Sequence, residues 1–192
     1  MDIYKRLDKI LPKLQEKSFR ENKGLGNEIG FHIFDYDPAD EFIVREHIHF
    51  LKQKINHEDS KIEIIEFDLY EIMLEILENK GYLDKVFKME KQKGTEYCIN
   101  AIKKTLRLTQ KNDLVVEYIQ NRIDSHHIVF LTGVGKVWPI IRSHTVLNTL
   151  HSVVDEVPLV MFFPGVYDGF ELRLFDEIKD DNYYRAFQLI ER

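Results

Sequence analysis

The sequence has one cysteine, Cys98, among 192 residues. A lone thiol excludes an intramolecular disulfide and any zinc site built on several cysteines. Long hydrophobic runs are also missing. No apolar stretch approaches the roughly 20 residues that span a bilayer, and the opening MDIYKRLDKIL has no signal-peptide core. Positive charge is in deficit: 27 Lys and Arg stand against 33 Asp and Glu, a net charge of −6. That balance excludes a general affinity for nucleic-acid phosphates over the whole surface. Five prolines and nine glycines leave no linker, repeat or low-complexity tract. The expectation is a single domain over residues 1–192, reduced and cytoplasmic, with no membrane contact.

Catalytic constellations are equally sparse. There is no Gly-x-Ser-x-Gly bracket around any serine, so a serine-hydrolase elbow has no support. Cys98 falls in a helical pattern with no electropositive turn beside it and reads as a small core residue. The histidines lack metal spacing. His47 and His49 point to different faces of a helix, His126 and His127 precede a strand, and His144 and His151 are seven apart. A two-histidine zinc motif wants a spacing of four with a glutamate between. Asp35, Asp37, Asp68 and Asp168 could in principle gather around a metal. Asp37 and Asp68, however, sit where helix caps belong, and Asp168 reads as a turn residue. No metal, cofactor or catalytic residue is assigned, and the expectation is a protein without enzymatic activity.

What is present is an alternation of strands and helices. Ile3, Leu7, Ile10, Leu11 and Leu14 recur at helical spacing, with Pro12 placed to shorten or bend that helix. A loop over 23–27 leads to a strand at 31–35. Asp37-Pro38 starts a helix whose apolar face is approximated by Phe42, Val44, Ile48, Leu51 and Ile55. A second strand is expected at 62–67, then a helix over 69–79 with Asp68 and Glu71 resembling a capping box. Residues 82–124 show only helical periodicity, broken at Gly94 and Asn112-Asp113, and form a helical insert. Strands follow at 128–131 and 159–163. A shorter one is expected at 171–175, and 184–190 fits strand or helix. The pattern predicts an α/β domain with a mainly parallel sheet flanked by helices and right-handed crossovers.

In such sheets ligands and partners meet the carboxyl ends of the strands. Two of those ends stand out. IVFLTGVGKV (128–137) runs a strand into Gly133, Gly135 and Lys136, the outline of a phosphate-binding loop. Val137 replaces the hydroxyl that would hold Mg²⁺, and the first glycine of the motif would fall on Phe130. One reading is therefore a nucleotide- or phosphate-sensing turn using Gly133, Gly135 and Lys136; the other is a tight turn with a solvated lysine, crowded by Trp138-Pro139. The second end, PLVMFFPGVYDG (158–169), places Tyr167 and Phe170 around a turn with Arg173 just beyond. Tyr and Arg are favoured anchors of protein interfaces, so Tyr167, Phe170 and Arg173 are the candidates for binding a partner. Direct nucleic-acid contact would require Lys103, Lys104, Arg107, Lys111 and Arg122 to share one exposed face.

Three stretches carry a family resemblance: KGLGNEIGFHIFDYDPADEFIVREHI (23–48), FLTGVGKVWPIIRSHTVLNTLH (130–151) and PLVMFFPGVYDGFELRLFDEIKDDNYYRAFQLI (158–190). With them the chain resembles the BrxB family, the small component of the bacteriophage-exclusion (BREX) defence system, nearly end to end. The resemblance implies a bacterial protein working beside a DNA methyltransferase, a large ATPase and a PglZ-like protein of the alkaline-phosphatase superfamily. It implies a non-enzymatic adaptor or assembly subunit whose chief partner is the PglZ-like component. It supplies no catalytic residues.

Overall fold

In the computed structural model, four strands carry the alternation read from the sequence. The residues described are 1–20, 30–58, 62–150, 154, 157–180 and 186–192; the loop expected at 23–27 and His151 lie outside them. Strands β1 (Phe31–Tyr36), β2 (Glu63–Asp68), β3 (His127–Thr132) and β4 (Leu159–Tyr167) pair in parallel in the order β2-β3-β4-β1. Phe187–Gln188 (β7) adds a short parallel strand beside β1. This settles 184–190 as partly strand: Leu189 N donates to Ile33 O.

Alternation along the strands builds two cores. Phe34, Tyr36, Ile64, Ile128, Phe130, Val160 and Phe162 face one side, under α4 (Glu41–Glu58) and the N-terminal helices. Phe31, Ile33, Phe67, Val129, Leu131, Met161 and Phe163 face the other, under α5 (Leu69–Asn79) and the helices that follow. From β1 the chain travels one way across the sheet to β2 with α4 on the first face. From β2 through β3 to β4 it travels back with its helices on the second face, so all crossovers share one hand. Each buried Leu, Ile or Phe contributes about 1.5–3 kcal/mol relative to an exposed one.

The opening helix is divided into α1 (Ile3–Leu7), α2 (Ile10–Gln15) and α3 (Lys17–Arg20). Pro12 explains the break. A continuous helix would need its missing N–H, whereas in the first turn of α2 no such donor is required. Leu7, Ile10 and Leu14 are buried as the spacing predicts. On α4, Val44, Ile48, Leu51 and Ile55 are buried but Phe42 is 76% exposed, because it falls outside the stripe those four define. Asp37 caps a 3-10 turn, Pro38–Asp40, that feeds α4; its Oδ1 accepts from Ala39 N at 2.9 Å. The helical insert is α6 (Leu83–Lys93), α7 (Thr95–Leu106) and α8 (Leu114–Gln120), divided at Gly94 and Asp113 as expected. Two further helices, α9 (Val134–Val137) and α10 (Ser143–Leu150), lead to β4. Among the described residues no helix is long and apolar enough to cross a membrane.

The largest departure concerns β4. Pro164-Gly165 punctuates a chain in most settings, and a turn over 164–169 is the natural expectation. Instead the strand continues through both residues to Tyr167, leaves the main sheet, and pairs antiparallel with β5 (Leu172–Leu174), which pairs in turn with β6 (Ile178–Asp180). Gly165 is required there: its φ is +155°, and a Cβ would lie 2.1 Å from the carbonyl oxygen of Arg173. A three-stranded ribbon thus projects from the carboxyl edge.

Candidate functional site

Three strand ends gather as the parallel topology requires. Tyr36 from β1, Asp68 from β2, and Thr132, Gly133 and Lys136 from the end of β3 line a cleft of about 170 Å³ together with Glu41 and Arg45 of α4. Its charges are matched from within. Tyr36 donates to Glu41 Oε2 at 2.6 Å and Arg45 Nε to Glu41 Oε1 at 2.7 Å. Glu66 accepts from Lys52 at 2.8 Å and from Thr132 Oγ1 at 2.9 Å. Burial, reinforced by Glu41, holds the Tyr36 hydroxyl well above the usual tyrosine range.

Gly133 takes the left-handed conformation that a non-glycine residue resists, with φ at +72°. α9 is a single turn of four residues. A Cβ at Gly133 would sit 2.1 Å from Asp68 Oδ1, so a carboxylate occupies the ground a phosphate would need. Lys136 is paired with Asp68 Oδ2 and has Glu71 Oε1 at 3.8 Å. At Gly135 a Cβ would meet the Phe175 ring at 2.9 Å. The glycines therefore serve close packing against Asp68 and Phe175, and the one cation of the Gly133–Lys136 outline is engaged by Asp68. Asp68 also caps α5, its Oδ1 accepting from Tyr70 N at 3.0 Å and Glu71 N at 3.3 Å.

The four aspartates do not converge. Asp35 is wholly buried on the other face of its strand. Its Oδ1 receives Arg6 Nη2 at 2.8 Å and its Oδ2 receives Arg192 Nε at 2.8 Å and Tyr167 N at 3.3 Å. Arg6, itself buried, also donates to the carbonyls of Asp35 and Ile190 and lies over the Phe34 ring. This clamp ties α1, β1, the ribbon root and the C-terminal residues together. Sequence reading missed it, although a lone acid inside the apolar run FHIFDY was a signal, since a buried carboxylate needs a partner. Asp168 Oδ1 accepts from Phe170 N and Glu171 N, both at 2.8 Å, closing the β4–β5 turn. Those backbone donors, Glu171 first, hold its carboxyl below the usual range.

Glu63, His126 and His127 place one ligand atom each within 4.8 Å of the others at the opposite edge of the sheet. His127 Nδ1 accepts from Asp124 N at 2.8 Å. In the neutral ring the proton therefore sits on Nε2, facing Glu63 at 3.8 Å. Metal at Nε2 would force Nδ1 to carry the proton, setting it against the Asp124 N–H. The geometry is that of a hydrogen-bonded edge. Burial, then His126, lowers the His127 pKa.

The partner-binding candidates separate. Tyr167 is 1% exposed, a correction to its expected place on the surface. The strand that continues through Pro164 turns its ring inward, and its hydroxyl donates to Ala186 O at 2.7 Å. Phe170, 64% exposed, and Arg173 do face outward. Phe175 and Trp138, partly exposed at the base of the ribbon, extend this surface. Phe162 and Phe163 are core, and Tyr183, Tyr184 and Arg185 lie outside the described residues. Of the five basic residues considered for nucleic acid, Arg122 has an acidic partner: it lies 3.9 Å from Glu75 and 3.6 Å from the centre of the Tyr118 ring.

Comparison with known proteins gives a consistent result. The model of a family described as "BREX protein BrxB" matches residues 65–189. A BREX protein BrxB of Bacillus cereus (strain H3081.97) is 66% identical over 190 residues, covering 99% of this chain and 98% of its own. A BREX protein BrxB of Escherichia coli O9:H4 (strain HS) is 35% identical over 187 residues, covering 96% and 90%. No solved structure matches.

Proposed function

The chain belongs to the BrxB family of BREX proteins, and we propose that it acts in bacteriophage exclusion as a non-enzymatic adaptor. Its chief partner in this reading is the PglZ-like component of the alkaline-phosphatase superfamily. The observation that carries the reading is the ribbon β4–β5–β6. It leaves the sheet at the edge where α/β proteins meet their ligands. It is rooted rigidly, by Tyr167 and by Arg192 Nη2 on the Gly165 carbonyl at 2.7 Å. It carries exposed Phe170 in its β4–β5 turn and exposed Arg173 at the middle of β5, residue types suited to anchoring a protein interface. The adjoining cleft is charge-matched and the lysine of the Gly133–Lys136 turn is engaged by Asp68, which supports docking over turnover.

The test is affinity purification of the tagged chain from cells carrying the whole system, with mass spectrometry of what accompanies it. The PglZ-like protein should be recovered in stoichiometric yield. Its absence, with other components recovered, would overturn the choice of partner; hydrolysis of nucleotide by the purified chain would overturn the non-enzymatic role.

A further inference from the structure

We propose that the helical insert binds single-stranded nucleic acid. The chain as a whole is acidic, but its charge is unevenly placed. Residues 80–111 hold nine Lys and Arg and three Asp and Glu, whereas the rest of the chain holds 18 and 30. Among the described residues none of those nine side chains forms an ion pair. Lys85, Lys88, Lys91, Lys93, Lys104 and Arg107 are all exposed.

Aromatic rings are set among them. Phe87 is 54% and Tyr97 49% exposed, with Tyr82 also exposed. Helix α6 has no buried residue, although it is amphipathic. Lys85 lies over the Tyr82 ring at 4.8 Å at the start of α6, and Lys93 over the Tyr97 ring at 4.4 Å across the α6–α7 junction, so cation and ring are paired at both ends of α6.

Two simpler accounts fall short. Lys91 and Lys93, and Lys103 and Lys104, occupy the last turns of α6 and α7, where cations offset the helix dipole. Arg107 caps the same end of α7, but the dipole does not account for Lys85, Lys88 or the rings. A solvated face is ordinarily laced with both signs of charge, and here the acids are few. Unpaired cations track a phosphate backbone, and exposed rings stack on bases. Duplex bases are not available for stacking, so the rings favour a single strand. The overall charge of −6 confines binding to this face.

The inference does not depend on the adaptor reading. The test is fluorescence anisotropy of the full chain with a labelled single-stranded DNA of about 20 nucleotides, long enough for one site, and with the matching duplex, over a salt series. The single strand should bind saturably and more tightly than the duplex. Phe87→Ala and Tyr97→Ala should each weaken it roughly tenfold. Lys88→Ala with Lys91→Ala should flatten the log–log salt slope by about 0.7 per lysine. Lys5→Ala, exposed on α1, should change nothing. Circular dichroism melts of these surface variants should match the parent. The proposal is overturned by an absence of saturable binding, by equal or tighter duplex binding, or by ring variants that bind normally. It is also overturned if polyglutamate displaces the strand at matched charge, which would mark the face as a dock for an acidic protein.

Discussion

Lys136 is paired with Oδ2 of Asp68, the same carboxylate whose Oδ1 caps helix α5. The only cation of the Gly133–Lys136 turn is therefore engaged by a residue whose first task is structural. Asp68→Ala should cost about 0.5–2 kcal/mol through the lost cap, and Asp37→Ala a similar amount, read as shifts in thermal or urea melts. Gly133→Ala should cost on the order of 1–3 kcal/mol, since it combines a left-handed φ with a Cβ set against Asp68. ATP and GTP should not be hydrolysed above a buffer blank. Turnover that vanishes in Lys136→Ala would refute this account of the turn.

The Arg6–Asp35–Arg192 clamp gives a larger effect. Asp35 and Arg6 are both buried, so Asp35→Ala leaves the Arg6 guanidinium without a charge partner and should cost about 3–5 kcal/mol in urea unfolding. Arg6→Ala should cost less, because Asp35 keeps Arg192 and the Tyr167 N–H. Arg192→Ala should cost much less, because that guanidinium is partly exposed and reaches water. A mild effect of Asp35→Ala would show that the clamp contributes little.

Acid should destabilise the fold through His32. Burial lowers its pKa from 6.5 to about 4, partly opposed by the hydrogen bond from Nδ1 to Gly30 O, with Lys13 lowering it further. A depressed folded-state value means the unfolded chain binds the proton first. Stability is then full above about pH 6.5 and falls as the pH drops toward 4, by about 3 kcal/mol for this group alone. Unfolding free energy measured at pH 7 and at pH 4.5 should show the loss, and His32→Gln should remove most of that group's slope. An unchanged slope in the variant would assign the loss to other groups.

Tyr167→Ala should behave as a core truncation. The side chain is fully buried and its hydroxyl satisfies the Ala186 carbonyl, so the cost should be about 3–5 kcal/mol. Phe170→Ala should leave stability within about 0.5 kcal/mol of the parent. Equal melts for the two variants would contradict the ribbon geometry.

Much of this architecture was legible from periodicity alone. The four main strands, the Asp68 and Asp37 caps, the breaks at Gly94 and Asp113 and the burial of Val44, Ile48, Leu51 and Ile55 are local consequences of residue pattern. What was not legible is long-range. Pro164-Gly165 reads as a turn until β5 is present to pair with it. Whether Tyr167 points in or out depends on that pairing, because a strand buries alternate residues and a turn does not. Asp35 meets Arg6 and Arg192 across 29 and 157 positions, a coincidence no window of sequence displays. Of the three residues expected on the surface, Phe170 and Arg173 are exposed, while Tyr167 belongs to the core.

The most direct measurement of the adaptor reading is isothermal calorimetry of the purified chain with the purified PglZ-like protein. The parent should bind, and Phe170→Ala or Arg173→Ala should lose about 2 kcal/mol, roughly thirtyfold in affinity, while melting as the parent does. Binding of unaltered affinity in both variants would move the interface off the ribbon, and no binding by the parent would contradict the proposed partnership itself.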